Sequence, residues 1–393
     1  MSARPGLPPL GLYLHLPWCV AKCPYCDFNS HALKGDLPGE AYVDALLRDL
    51  EQDLPLVWGR TVSSVYLGGG TPSLFAAGLV ERLLDGVRAL LPLAPGVEIT
   101  LEANPGTVER DSFSAYRDAG INRVSLGVQS FDAGALAALG RIHGPGDIER
   151  SVASLHDAGL NHFNIDLMFG LPGQTVEQAR RDVERAIAAR PTHLSHYQLT
   201  LEPNTPFAAA PPLLPEDEAC WDMQEAAAER LAAAGLRQYE VSAWSLPGHE
   251  SRHNLNYWRF GDYLGIGAGA HGKLSLPARD EVRRIVKVRH PRRYLAGERI
   301  ARDEAVPRSD LPFEYLLNAL RLRDGFSLEH LEALTGVHRA AVAAPLAEAL
   351  ERGLLEAAGD GYRPTELGWR FGNDLQAIFL PSSGPPAAPR MAC

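Results

Sequence analysis

The sequence has no uninterrupted apolar run approaching the roughly 18 residues needed for a membrane-spanning helix. Its opening, MSARPGLPPL, lacks the apolar core of a secretory signal, so a soluble cytoplasmic protein is expected. It also lacks an excess of positive charge. Its 38 Lys and Arg stand against 48 Asp and Glu, a net of −10, which excludes chain-wide attraction to nucleic acid or an anionic membrane. Any such contact must be local. Cysteine is scarce, with five in 393 residues, and a reducing compartment makes disulfides a poor use for them. What the chain does have is 46% apolar residues, enough for one large domain and a smaller one.

Three of the five cysteines crowd into HLPWCVAKCPYCDFNSH (15–31), as Cys19, Cys23 and Cys26, while Cys220 and Cys393 lie far away. Thiolates are soft ligands for iron–sulfur clusters or zinc, and three of them leave one metal position open. A zinc site completed by His15 or His31, or three unrelated core cysteines, are the alternatives at this point.

Apolar, β-branched runs recur at GLYLHL (11–16), SSVYLG (63–68), VEITLE (97–102), NRVSLGV (122–128), FNIDLMF (163–169) and HLSHYQL (193–199). Helical spacing of apolar residues falls between them, most plainly at 40–54, 78–91 and 175–189. Six sequential β/α units predict a parallel, right-handed array, too few for a closed eight-stranded barrel. The expected fold is therefore α/β, a partial (β/α)6 TIM-like barrel over 11–235. In such folds the chemistry sits where strands end. The cysteines follow the first expected strand, GGGTPS (68–73) the second, Glu102 and Asn104 end the third, Gln129 ends the fourth, and Asp166 lies in the fifth. GGGTPS lacks the lysine of a Walker loop, and its glycines allow backbone to approach a ligand closely.

Cys-x3-Cys-x2-Cys after a first barrel strand, with Tyr25 before the last cysteine and then a GGGTP turn, resembles the radical S-adenosylmethionine superfamily. That resemblance implies a [4Fe–4S] cluster with three irons held by Cys19, Cys23 and Cys26, and the fourth chelated by S-adenosylmethionine. The chain is similar over roughly 11–380 to the oxygen-independent coproporphyrinogen III oxidase group. Residues resembling that group's cofactor contacts are Tyr13, Tyr25, Gly69, Gly70, Thr71, Glu102, Gln129, Arg141 and Asp166. These types suit the task, since carboxylates take ribose hydroxyls and a guanidinium offsets a carboxylate.

Phe28 stands where the oxidase pattern has a further cysteine, two residues after Cys26. HNLNYW (253–258) resembles the His-Asn-x-x-Tyr-Trp motif of a sister branch, the HemW heme chaperones. This implies heme as bound cargo, with His253, Asn254, Tyr257 and Trp258 at its site and heme-acceptor proteins as partners. His can ligate iron, and Tyr and Trp offer flat faces. Oxidative decarboxylation of porphyrinogen propionates is the alternative function, and radical modification of RNA ranks third.

The segment 278–294 holds seven basic residues against two acidic ones, a net of +5. Heme propionates, anionic lipid at a peripheral membrane contact, or a partner's acidic face would suit it, as would a basic edge strand that discourages pairing. The whole segment 236–304 is expected to extend the barrel. GAGAHG (267–272) satisfies a dinucleotide fingerprint but precedes KLSLPARDE, which is not helical, so nicotinamide binding is set aside. From 305 to 380, three helical patterns and GDGYRP predict a small winged-helix-like unit. Its residues 310–379 carry 11 acids against six bases, a net of −5, so no nucleic-acid partner is expected. Residues 1–10 and the Pro-, Ser- and Ala-rich tail 381–393 are expected to be disordered. Whether the chain forms a homodimer is not legible here.

Overall fold

A computed structural model describes residues 7–107 and 112–381. Of the expected disordered ends, 1–6 and 382–393 lie outside the described residues, whereas Leu10 already opens the first strand. The six expected strands form as β1 (Leu10–Leu16), β2 (Val62–Gly69), β3 (Leu93–Ala103), β4 (Arg123–Gln129), β5 (Phe163–Phe169) and β6 (His193–Gln198). They pair in parallel in chain order. The helices α1 (Gly39–Asp53), α2 (Ala77–Leu90), α3 (Phe113–Asp118), α4 (Pro145–Asp157), α5 (Val176–Ala188) and α6 (Asp217–Ala233) accompany them. α5 starts where its sequence requires. Thr175 accepts from the Gln178 N–H at 3.3 Å, and Gln178 Oε1 accepts from the Thr175 N–H at 2.8 Å.

The sheet is larger than six strands. β7 (Arg237–Glu240) and β8 (Ala243–Ser245) add antiparallel beyond β6. After α7 (Arg252–Trp258), β9 (Asp262–Ile266) returns beside β1 in parallel, and β10 (His271–Leu276), β11 (Glu281–Lys287) and β12 (Ile300–Ala305) meander outward. The order is β12-β11-β10-β9-β1-β2-β3-β4-β5-β6-β8-β7, an open sheet of 12 strands. Residues 236–304 thus extend both edges.

Along the parallel strands, alternate residues divide cleanly. Leu12, Leu14, Val65, Leu67, Ile99, Leu101, Val124, Leu126, Ile165, Leu167 and Leu194 join one apolar core with the helices. Their neighbours are polar: Ser64, Tyr66, Glu98, Thr100, Glu102, Arg123, Ser125, Asn164, Asp166, His193 and Ser195. The concave face is therefore hydrophilic, which an inert core would not tolerate.

The C-terminal unit holds α8 (Leu311–Ala319), α9 (Leu328–Thr335) and α10 (Ala343–Glu351). Its wing is β13 (Phe326–Ser327), β14 (Leu355–Ala358) and β15 (Gly361–Pro364), with β15 central. Its core includes Phe260 and Val282 from the extension, so the unit packs on the sheet's outer strands.

The edge-strand alternative for the basic segment does not hold, because β12 covers β11. Part of its charge is neutralised, while Arg279, Arg289 and Arg292 stay exposed. Arg283 pairs with Asp303 at 2.7 Å and Glu281 at 3.0 Å, Arg284 with Glu314, and Lys287 is buried between Asp49 and Asp53. Apart from Glu281, these acids come from other segments, out of reach of a local charge count. GAGAHG is the turn into β10. A side chain at Gly267, where φ is +113°, would collide with the carbonyl of His15.

Candidate cofactor site at the ends of the parallel strands

The three cysteines lie on the loop that leaves β1, half-exposed and unbridged. The loop is pinned by groups other than sulfur. The Leu33 N–H donates to the Cys19 carbonyl at 2.8 Å, and Lys22 Nζ to the carbonyls of Phe28 and Ser30 at 3.0 and 3.2 Å. Asn29 Nδ2 reaches the carbonyls of Ala268 and Arg289, both at 2.8 Å. His15 completes the staple, with Nε2 3.0 Å from the Asn29 carbonyl and Nδ1 3.0 Å from the Tyr13 hydroxyl.

Polar groups ring the sulfurs. Cys26 Sγ is 3.6 Å from Ser30 Oγ, and Arg141 Nη1 donates to Cys23 Sγ at 3.7 Å. Burial pushes the Cys19 and Cys26 thiols up, opposed by the hydroxyls of Thr71 and Ser30 respectively. Among the described residues, no three His, Cys, Asp or Glu side chains are arranged around one ion. The zinc alternative also loses His15, whose two ring nitrogens are both engaged. A cluster that gives each thiolate its own iron asks for no such convergence.

GGGTPS sits against this loop. The Gly70 N–H donates to the Leu16 carbonyl at 2.9 Å and the Thr71 N–H to the Trp18 carbonyl at 2.8 Å. Gly69 takes φ of +114°, and a side chain there would run into the His15 ring. The Gly69 N–H donates to Glu102 Oε2 at 3.0 Å, and Glu102 Oε1 accepts from the Tyr66 hydroxyl at 2.9 Å. Burial pushes the Glu102 carboxyl up to about 7, with the Tyr66 and Gly69 donors pulling it down and Asp166 pushing it up.

This raised value carries a stability contribution present below the ordinary carboxyl range and lost as pH rises through about 7. Glu102→Gln, which cannot ionise, should therefore gain melting temperature relative to the unmodified chain between about pH 5 and about pH 8, with a ceiling of about 3 kcal/mol. Paired thermal melts across that range check it. A pH-independent difference would contradict the assignment.

Farther round, Gln129 closes β4 at φ of +70°, and its Oε1 accepts from the Tyr197 hydroxyl at 2.7 Å. Asp166 accepts from Asn164 at 2.8 Å and Ser125 at 3.2 Å. Arg141 donates to the Gly127 carbonyl at 2.6 Å, and its Nε–H is buried without an acceptor. Tyr13 stacks on Tyr66 with centroids 6.2 Å apart. Thus Tyr13, Tyr25, Gly69, Gly70, Thr71, Glu102, Gln129, Arg141 and Asp166 line one end of the sheet with the cysteines. Tyr66, Ser125, Asn164 and Tyr197 were not singled out from sequence. Their period-two polar alternation was the available signal.

The HNLNYW residues divide between two faces of α7. His253 is buried, and its Nδ1 lies 2.9 Å from Ser64 Oγ and its Nε2 2.9 Å from the Tyr257 hydroxyl. Its ring stacks on Tyr66 at 5.0 Å. Burial lowers its pKa to about 3, with Glu98 opposing and Arg123 assisting, so it is neutral. Both ring nitrogens thus lie within hydrogen-bond reach of a hydroxyl group. Asn254 donates its N–H to Ser251 Oγ at 3.3 Å, capping the helix. Trp258 turns the other way and lies under the Arg321 guanidinium at 4.2 Å.

A parallel partial barrel with a three-cysteine loop and a glycine turn at its strand ends is the architecture of a radical enzyme scaffold. Residues 13–186 match the Radical SAM superfamily, and 306–371 match the HemN C-terminal domain. The heme chaperone HemW of Escherichia coli (strain K12) is 50% identical over 95% of this chain and 99% of its own length. The Haemophilus influenzae protein of the same name is 47% identical over 96% of this chain and 99% of its own. This chain belongs to the HemW family of heme chaperones. Among solved structures, the coproporphyrinogen III oxidase HemN from Escherichia coli superposes with a TM-score of 0.80 at 24% identity, covering 96% of this chain and 91% of that one. At that identity the likeness is one of fold. No described helix is long and apolar enough to cross a membrane.

Proposed function

We propose that this protein binds heme and hands it to acceptor proteins, on a scaffold that holds a [4Fe–4S] cluster and S-adenosylmethionine. The observation that carries the reading is its end-to-end relation to proteins named heme chaperones, at up to 50% identity. Phe28 supports it. Where the oxidase pattern has another thiol, this chain has a 43% exposed phenyl ring with no ligand chemistry.

The donor set fits the two cofactors. Cys19, Cys23 and Cys26 would hold the cluster, which when bound supplies the electron for sulfonium cleavage. Arg141 is buried with an unpaired Nε–H next to Cys23 and so offers a fixed cation to a carboxylate. Glu102 and Asp166 present acceptors to hydroxyl groups, and the Gly69–Thr71 backbone forms the adjacent wall.

Hemin titrated into the purified full chain should shift its Soret band at micromolar concentration. Under anaerobic conditions with reductant and S-adenosylmethionine, coproporphyrinogen III should stay undecarboxylated. Stoichiometric protoporphyrinogen formation would replace the chaperone reading with the oxidase.

A further inference from the structure

His253 is held by three strands at once. The backbone N–H groups of His253 and Arg252 donate to Glu98 Oε1 and Oε2 at 3.1 and 3.2 Å, so β3 fixes the start of α7. The ring lies on Tyr66 of β2 at 5.0 Å, and its Cε1 sits so near β1 that a Cβ at Gly11 would come within 3.3 Å of it. Ser64, also on β2, then sets the ring's rotation from 2.9 Å through Nδ1, and its hydroxyl makes no other hydrogen bond among the described residues.

That leaves Nε2, which meets the Tyr257 hydroxyl at 2.9 Å, one helical turn on. The two hydroxyls differ in setting. Ser64 is buried in the sheet, whereas Tyr257 is half-buried on α7, with its ring edge-on to Tyr263 at 4.4 Å. Metal-binding histidines are oriented in this way, one nitrogen donating to a fixed oxygen while the other takes the metal.

We infer that Ser64 is the positioning residue for His253 as a heme ligand, and that the Tyr257 hydroxyl caps Nε2 until heme iron takes its place. The inference rests on the heme-binding reading, with HNLNYW as its site. With Nδ1–H donated to Ser64 Oγ, the Nε2 lone pair accepts from the Tyr257 O–H, and iron takes that lone pair once the hydroxyl turns away. No proton leaves the imidazole in the exchange. Cap and iron therefore compete for one lone pair, and the heme-free protein keeps its ligand covered.

The test is hemin titration and stopped-flow mixing with the full chain, read by Soret absorption and by electron paramagnetic resonance of the ferric complex. Tyr257→Phe keeps the ring and removes the cap, so hemin should associate several-fold faster with the imidazole-ligated signature unchanged. Ser64→Ala should bind about tenfold more weakly with shifted g values, and Ser64→Thr, which restores the hydroxyl, should recover both. Wild-type affinity and g values in Ser64→Ala would overturn the positioning role. An unchanged association rate in Tyr257→Phe would overturn the cap whatever Ser64→Ala does to the fold, and loss of the imidazole signature there would make the phenol a ligand instead. If His253→Ala keeps wild-type ligation and affinity, the inference fails and heme binding stands. If the unmodified chain gives no Soret shift, both readings fail.

Discussion

Anaerobic reconstitution with iron and sulfide should load about four irons per chain, with broad visible absorption, and replacing Cys19, Cys23 and Cys26 together by Ala should abolish both. The fold should survive. The sulfurs are half-exposed, and their loop is anchored by His15, Lys22 and Asn29 rather than by the thiols. Circular dichroism and melting temperature of the triple variant should therefore stay close to those of the apo protein, while its iron content falls to background. A reconstituted protein holding a single zinc ion would overturn the cluster.

Lys287→Met should be the most damaging single replacement outside the site. Lys287 Nζ lies 2.7 Å from Asp49 Oδ1 and 2.6 Å from Asp53 Oδ2, with its side chain 1% exposed. Asp49 Oδ2 also accepts from the Tyr294 hydroxyl at 2.6 Å and the Gly267 N–H at 3.2 Å. Removing the ammonium leaves two carboxylates facing each other with only the Arg299 guanidinium, 4.0 Å from Asp49, as counter-charge. The cost of breaking a buried pair is about 3–5 kcal/mol, or about 4–6 °C in melting temperature for a chain of this size. Adding Asp49→Asn and Asp53→Asn should recover much of the loss, because neutral amides need no cation. A loss below about 1 kcal/mol in Lys287→Met would mean that the pair is not buried in solution. Because this network holds the Gly267 turn against His15, iron loading should weaken along with stability.

The site was legible wherever its chemistry is local in the chain. Cys19, Cys23 and Cys26 stand within eight residues, and GGGTPS follows directly on an apolar run. The polar face of the sheet was present as alternation in VEITLE and FNIDLMF, but apolar runs dominate such segments. Glu98, Tyr66 and Asn164 gain their meaning only when neighbouring strands bring them together. The charge count at 278–294 could not show which of its cations are neutralised, for the same reason. Its counter-ions Asp49, Asp53, Asp303 and Glu314 lie outside the segment.

By itself, then, the sequence determined the order of six parallel strands, the three-thiol loop and the presence of a winged C-terminal unit. Each rests on short-range periodicity, spacing or turn chemistry that a single strand or helix expresses on its own. Tertiary structure alone decided that the sheet grows to 12 strands from a later segment, and that Lys287 is buried rather than solvated. It also decided that the HNLNYW helix faces two ways. At 3.6 residues per turn His253 and Trp258 lie about 140° apart, but the motif does not say which of the two faces meets the sheet. Only packing shows that one closes against Ser64 and Tyr66 while the other borders an open cleft.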